Sequence, residues 1–211
     1  MMRVMDLDTI KDVHEWMMNE IIWTHQIIQT EDGEMTWEYP YQMSVTIYHP
    51  LTDMIHPCSS FQEKRCEEYA KQILQPSLNG FEYTYHDRLF QYPINGVQVN
   101  QIYHAIRKLK QNPYTRRAIA ITLDPQADNV NQHIPCLQFI QYTVRDGRLN
   151  QVVLFRSEDI LSAAGPNMFG LAKLQEYVSK QVGIPVGTYT HIVTVPHLYF
   201  IRDKADLQRW L

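Results

Sequence analysis

Residues 137–156 read LQFIQYTVRDGRLNQVVLFR, and this stretch decides the fold. Its two runs, 137–145 and 149–156, are rich in β-branched and aromatic residues and flank the pair Asp146-Gly147. An Asp-Gly pair readily takes the positive φ angles of a tight hairpin turn, so two antiparallel strands are expected here. Outward from the hairpin, 117–123 (RAIAITL) and 188–195 (TYTHIVTV) read as further strands, with a long helix expected over 166–182.

The N-terminal half has another character. Residues 8–29 place Ile10, Val13, Trp16, Met17, Ile21 and Ile22 at helical spacing, with Asp8 or Thr9 as the cap. Thr30 to Glu34 reads as a turn, and 41–48 (YQMSVTIY) alternates like a strand. Residues 60–75 and 97–111 read as helices. Pro76 stops the first, and Val97, Ile102, Ile106 and Leu109 share one side of the second. Helices first, then antiparallel strands with one inserted helix, predict an α+β protein with a largely antiparallel or mixed sheet and flanking helices. With no repeat and no Gly/Ser linker, residues 1–211 are expected to form a single domain.

Composition narrows the function. Hydrophobic residues make up 45% and charged residues 20%, the profile of a soluble globular enzyme. A net charge of −4 gives no electrostatic basis for wrapping a nucleic acid polymer. Three scattered cysteines, Cys58, Cys66 and Cys136, argue against a disulfide framework and fit a reducing cytosol. No run approaches the roughly 18 apolar residues of a membrane span, and the first residues lack a signal peptide's apolar stretch, so a cytoplasmic protein is expected. The nine histidines form no compact ligand set with Cys or Asp, so no metal is expected.

Chemistry concentrates after Pro113. Cys136 follows Pro135 at the start of a strand, a position that can hold a sulfur rigidly at a cleft; a buried, inert core cysteine is the plainer reading. Arg116-Arg117 and Arg156-Ser157 border strands. Converging guanidinium groups would bind a phosphate and lower a neighbouring thiol's pKa; otherwise they are surface charge. Asn167, after Gly165-Pro166, offers the donors and acceptor that match a uracil edge, or else caps a helix. His197 and Tyr199 share one side of an extended segment and could hold a sugar hydroxyl, or be a half-buried aromatic pair.

Together these residues resemble thymidylate synthase of the folate-dependent, cysteine-nucleophile kind, in a short form like its archaeal branch. The likeness rests on Tyr114-Thr115-Arg116-Arg117, Pro135-Cys136, Gln141, Phe155 to Asp159, Gly165-Pro166-Asn167 and His197-Leu198-Tyr199, in matching order and spacing. It implies a homodimer joined through its sheets, with dUMP and a reduced pterin as partners. The pterin would be methylene-tetrahydrofolate or a methylene-tetrahydromethanopterin-type carrier, and no metal would take part.

The resemblance also implies roles. Cys136 would attack C6 of the pyrimidine. Arg156 and Ser157 would bind its phosphate, and Arg116 and Arg117 would reach the phosphate in the neighbouring subunit. Gln141 would help order the site, and Asp159 would face the pterin and the water around the base. Asn167 would read uracil in preference to cytosine, and His197 with Tyr199 would hold the deoxyribose. The catalytic glutamate would be Glu68, on the 60–75 helix, and Tyr85 would stand near the nucleophile. The chemistry needs such a set: uracil C5 is a poor nucleophile until a thiolate adds at C6 and makes the ring an enolate.

The sequence departs from the family in places. Leu137 stands where a His usually follows the nucleophile, Ala164 to Asn167 replaces an apolar-Pro-Phe-Asn run, and Val195-Pro196 replaces Gly-Asp. Common members also run some tens of residues past the position of Leu211 with a tail that closes over the folate, so a different pterin pocket is expected. The other readings are a dUMP or dCMP (CMP) hydroxymethylase of the same superfamily and a non-catalytic nucleotide-binding protein.

Overall fold

The computed structural model describes residues 2–76, 84–94, 96–130 and 134–211. In chain order the elements are β1 (Met2–Leu7), α1 (Ile10–Trp23), β2 (Gln26–Gln29), β3 (Met35–Glu38), β4 (Gln42–Ile47), α2 (Glu63–Leu74), α3 (Tyr85–Phe90), β5 (Tyr92–Ile94), β6 (Val97–Val99), α4 (Gln101–Gln111), β7 (Ala118–Ile121), β8 (Leu137–Arg145), β9 (Arg148–Phe155), β10 (Glu158–Asp159), α5 (Ala164–Val182), β11 (Val186–Val193), β12 (Pro196–Leu198) and α6 (Lys204–Leu207).

The β8–β9 hairpin forms as its sequence requires. Asp146 and Gly147 take φ values of 51° and 69°, and Arg145 pairs with Arg148 across the turn. Around it lies a six-stranded mixed sheet in the order β1-β4-β11-β9-β8-β7. β9 and β11 are parallel, joined by the crossover helix α5, while β4 and β8 run antiparallel to their inner neighbours. A smaller sheet, β10-β12-β3-β2, continues from the ends of β9 and β11. The α+β class with flanking helices thus holds.

The N-terminal expectations need correction. The helix over 8–29 ends at Trp23, where Thr24 turns extended with φ −141° and ψ 96°. Gln26–Gln29 pair instead with β3, Ile27 facing Trp37 and Ile28 facing Thr36. Adjacent β-branched residues favour a pleated surface, and here the available strand decides. Thr9, not Asp8, caps α1, in a reciprocal capping box with Asp12. The helix over 97–111 begins only at Gln101, capped by the Asn100 side chain on Tyr103 N–H, and Val97 lies in β6. Strands also precede the helices: β1 and β4 belong to the same sheet as the C-terminal hairpin.

One face of the large sheet is packed. Val45, Ile140, Tyr142, Val153, Phe155, Tyr189 and Val193 belong to a continuous core with α1, α4 and α5. Residues 164–172 of α5 are buried on every side, the mark of a central helix. Gly170 lets α2 approach α5 closely: a Cβ there would stand 2.6 Å from Ile73 Cδ1 and 3.3 Å from the Tyr69 ring. That approach carries Glu68 and Tyr69 toward the first turn of α5. On the opposite sheet face Phe139, Val152 and Leu154 are half-buried and Ile119 and Ile121 exposed, and among the described residues no layer covers it.

Candidate active site

A cavity of about 670 Å³ lies beyond the carboxyl ends of β9 and β11, the usual ligand position in sheets with parallel crossovers. Cys136, Arg156, Ser157, Asp159, Asn167, His197 and Tyr199, far apart in sequence, all line it.

Cys136 immediately precedes β8 and is half-buried. Its carbonyl accepts the Arg156 N–H at 2.9 Å, which locks the residue to the end of β9. The Arg156 guanidinium donates through Nε to Pro135 O at 3.1 Å and through Nη2 to Ile134 O at 2.6 Å. It therefore clamps the two residues before the cysteine and still has three of its five N–H groups for a ligand. Burial pushes the Cys136 thiol above its ordinary pKa; Arg156 pulls it down and Glu158 adds to the rise. The expected net lowering by arginine is not what the geometry gives, because desolvation outweighs one exposed guanidinium. Leu137 is fully buried, and its N–H donates to the Tyr85 hydroxyl at 3.2 Å, which sets Tyr85 beside Cys136.

Asn167 is not a cap. Helix α5 starts at Ala164, and Asn167 sits inside its first turn with its side chain turned to the cavity wall. The Tyr69 hydroxyl donates to Asn167 Oδ1 at 2.5 Å, and Asn167 Nδ2 donates to Glu158 Oε1 at 2.8 Å. Glu158 Oε2 lies 2.6 Å from His191 Nε2, and His191 Nδ1 lies 2.8 Å from the Tyr189 hydroxyl. The Glu158 and His191 side chains are 1% and 0% exposed. A buried carboxylate is tolerated only with such partners, and removing one typically costs about 3–5 kcal/mol.

The rim is made by β10, β12 and the segment after them. The Ser157 hydroxyl and His197 Nδ1 are 3.3 Å apart, and the His197 and Tyr199 rings meet edge-on. Asp159 accepts the N–H groups of Leu161 and Ser162 and the Ser162 hydroxyl, ordering the turn into α5. Arg202 donates to Asp159 at 2.8 Å and covers the Tyr199 ring at 3.8 Å. From the N-terminal half, Thr30, Glu31 and Asp32 reach the same cavity.

Some expected residues lie elsewhere. Glu68 lines a second cavity, with Phe61 and Arg65, that shares Tyr69, Ser162, Ala163 and Asn167 with the first. Arg116 and Arg117 are exposed before the edge strand β7, away from the Cys136 cavity of their own chain. Gln141 lies on the uncovered sheet face and donates to Arg116 O at 3.0 Å, again away from the cavity.

Sequence reasoning missed Tyr69, Glu158, His191 and Arg202. His191 carried one signal: it occupies an inward position of a strand between Tyr189 and Val193, where a polar side chain needs a partner. Among the described residues, no group of three His, Cys, Asp or Glu is placed to hold a metal ion, and no helix is long and apolar enough to cross a membrane.

Comparison with known proteins gives one consistent result. The family model described as thymidylate synthase matches residues 4–207. A protein of Methanocaldococcus jannaschii named "Putative thymidylate synthase" is 39% identical over 199 residues, 92% of this chain and 89% of the relative. Proteins with the same name from Methanosarcina barkeri and Methanothermobacter thermautotrophicus are 38% identical over 198 residues and 33% identical over 222. They cover 93% and 97% of this chain, and 89% and 98% of those relatives.

Proposed function

Because the chain belongs to the thymidylate synthase family, we propose that it methylates dUMP at C5 to give dTMP through a covalent bond between Cys136 and C6. The observation that carries this reading is the convergence of Cys136, Arg156 and Asn167 on one cavity.

In this scheme Arg156 and Ser157 hold the phosphate. Asn167 faces the uracil 4-oxo and N3–H edge, and His197 and Tyr199 hold the sugar. The Cys136 sulfur adds at C6, the ring electron pair moves toward O4, and C5 gains carbanion character. The Asn167 N–H stabilises the charge at O4. Burial holds the Cys136 thiol above its ordinary pKa, so its proton passes to water in the cavity as the sulfur bonds C6. Glu68 acts in the proton transfers at the base, and Asp159 orders the water beside it.

The family uses a pterin co-substrate. Two cavities that share a wall at Tyr69 and Asn167 suit two flat rings side by side, with Phe61, Arg65 and Glu68 around the second. A bound pterin supplies the one-carbon unit and, for a methyl product, the hydride. Either a folate or a methanopterin-type carrier fits this reading.

The uncovered sheet face supports a homodimer, with Arg116 and Arg117 extended to the phosphate in the partner's cavity. Gln141, bonded to the Arg116 carbonyl, would order that reach. Mixing an Arg116/Arg117 double variant with a Cys136 variant tests this; restoration of roughly a quarter of the activity is expected from statistical heterodimers. No recovery after verified subunit exchange would place those arginines outside the site. The proposed setting is the cytoplasm, with residues 1–211 acting as one domain.

Cys136→Ala is the direct test of mechanism. It should abolish tritium release from C5-labelled dUMP in the presence of methylene-pterin while dUMP binding persists. Full tritium release would end the covalent scheme. Mass spectrometry of the wild-type product separates dTMP from the hydroxymethyl nucleotide that a related hydroxymethylase makes.

A further inference from the structure

The Asn167 side chain is pinned from two sides, and the two restraints differ in kind. Tyr69 presents a hydroxyl, which donates or accepts according to its rotation. Glu158 presents a carboxylate oxygen, which only accepts. A chain of donors stands behind that carboxylate. Tyr189 retains its phenolic proton, its pKa held far above the ordinary value by burial, and donates to His191 Nδ1. His191 Nε2–H then donates to Glu158 Oε2. Glu158 Oε1 remains an acceptor, so the Asn167 nitrogen must face it; the flipped amide would set oxygen against oxygen at 2.8 Å.

From this network we infer that Glu158, ordered by His191 and Tyr189, is the positioning residue that selects the pyrimidine base, by fixing which way the Asn167 amide points. The inference rests on the reading that the Cys136 cavity takes a pyrimidine nucleotide. With both restraints satisfied, Asn167 has one N–H and one carbonyl lone pair left for a ligand. In the fixed orientation they complement a 4-oxo group beside a ring N–H. A 4-amino group beside an unprotonated ring nitrogen needs the reverse arrangement, which Glu158 forbids. An apolar pair would suit so dry a place at least as well as Glu158 and His191, which points to a use for the charge beyond stability.

Glu158→Gln is the test. A glutamine is close in size but either accepts or donates toward Asn167, and His191 adapts by exchanging tautomers. Both amide orientations then become available. Wild-type protein should bind dUMP well above dCMP by titration calorimetry. E158Q should shrink the ratio by about tenfold, chiefly through tighter dCMP binding, with dUMP affinity changed by less than about threefold. Tyr189→Phe keeps the carboxylate but removes the hydroxyl that orders its histidine, and should move the ratio the same way by about threefold. An unchanged ratio in folded E158Q, or in Y189F where E158Q does not fold, overturns the inference and leaves the pyrimidine reading intact. Wild-type protein that binds neither nucleotide overturns the pyrimidine reading itself, and this inference with it.

Discussion

Two walls of the Cys136 cavity are held in opposite ways. On the strand-borne wall, side chains bind backbone: Arg156 grips the carbonyls of Ile134 and Pro135, and its own N–H is paired with Cys136 O. On the helix-borne wall, side chains bind side chains, in the series Tyr69, Asn167, Glu158, His191. The first arrangement is fixed by local chain geometry. The second takes its first member, Tyr69, from α2, which Gly170 lets settle against α5. One wall holds Cys136 and Arg156 rigidly; the other can be tuned by single substitutions.

The largest effect is expected just behind the helix-borne wall, in the second cavity, and it is in turnover. Glu68→Gln should lower kcat by about 10³-fold, a usual loss for a general acid–base group, with dUMP affinity unchanged. Single-turnover kinetics beside calorimetry would separate the two, and an undiminished kcat would leave that wall a recognition surface alone.

On the strand-borne wall, Arg156→Gln removes a cation that clamps the chain and, on the proposed reading, also holds the phosphate. Charge-assisted hydrogen bonds are worth about 1.5–3 kcal/mol, so dUMP affinity should fall by about 10- to 100-fold. Loss confined to kcat would mean that the clamp matters and the phosphate contact does not.

The thiol offers a smaller, graded contrast. Since Cys136 titrates above the ordinary thiol value, its alkylation by iodoacetamide should rise about tenfold per pH unit through neutrality and beyond pH 8. Arg156→Gln should displace the curve further upward, because the guanidinium is the group that lowers this pKa. A plateau near pH 7 would show a thiolate already formed.

Gly170→Ala should have the mildest effect. The added methyl meets the mobile end of Ile73 first and the Tyr69 ring next. A fall of a few degrees in Tm and about a threefold rise in KM for dUMP are expected if the α2–α5 approach sets the helix-borne wall. An unchanged KM would mean that Asn167 is placed without help from α2.

The same contrast explains what could be read in the sequence. Cys136, Arg156, Ser157, Asp159 and Asn167 cluster along the chain, and the Asp146-Gly147 turn fixes the hairpin that arranges them. Their chemistry and spacing were therefore legible. The short edge strands β1 and β2 were not, because Val4, Ile27 and Ile28 are exposed and carry no clear alternation of burial. Gln26–Gln29 even continued the helical spacing of α1, and only pairing with β3 overrides it. Glu158 and His191 lie 33 residues apart and meet through tertiary packing, which no local pattern encodes. Gln141 and the Arg116-Arg117 pair were legible as residue types, but their distance from the cavity of their own chain was not.

The clamp beside Cys136 has one more consequence. A guanidinium is a flat, stiff plate. Arg156 cannot tilt to meet a phosphate without loosening or tightening its hold on the peptide carbonyls next to Cys136. If Arg156 holds the phosphate and Cys136 attacks the ring, as proposed, the anion end of a nucleotide and the sulfur meant for its base are mechanically linked through one side chain, and filling the first adjusts the aim of the second.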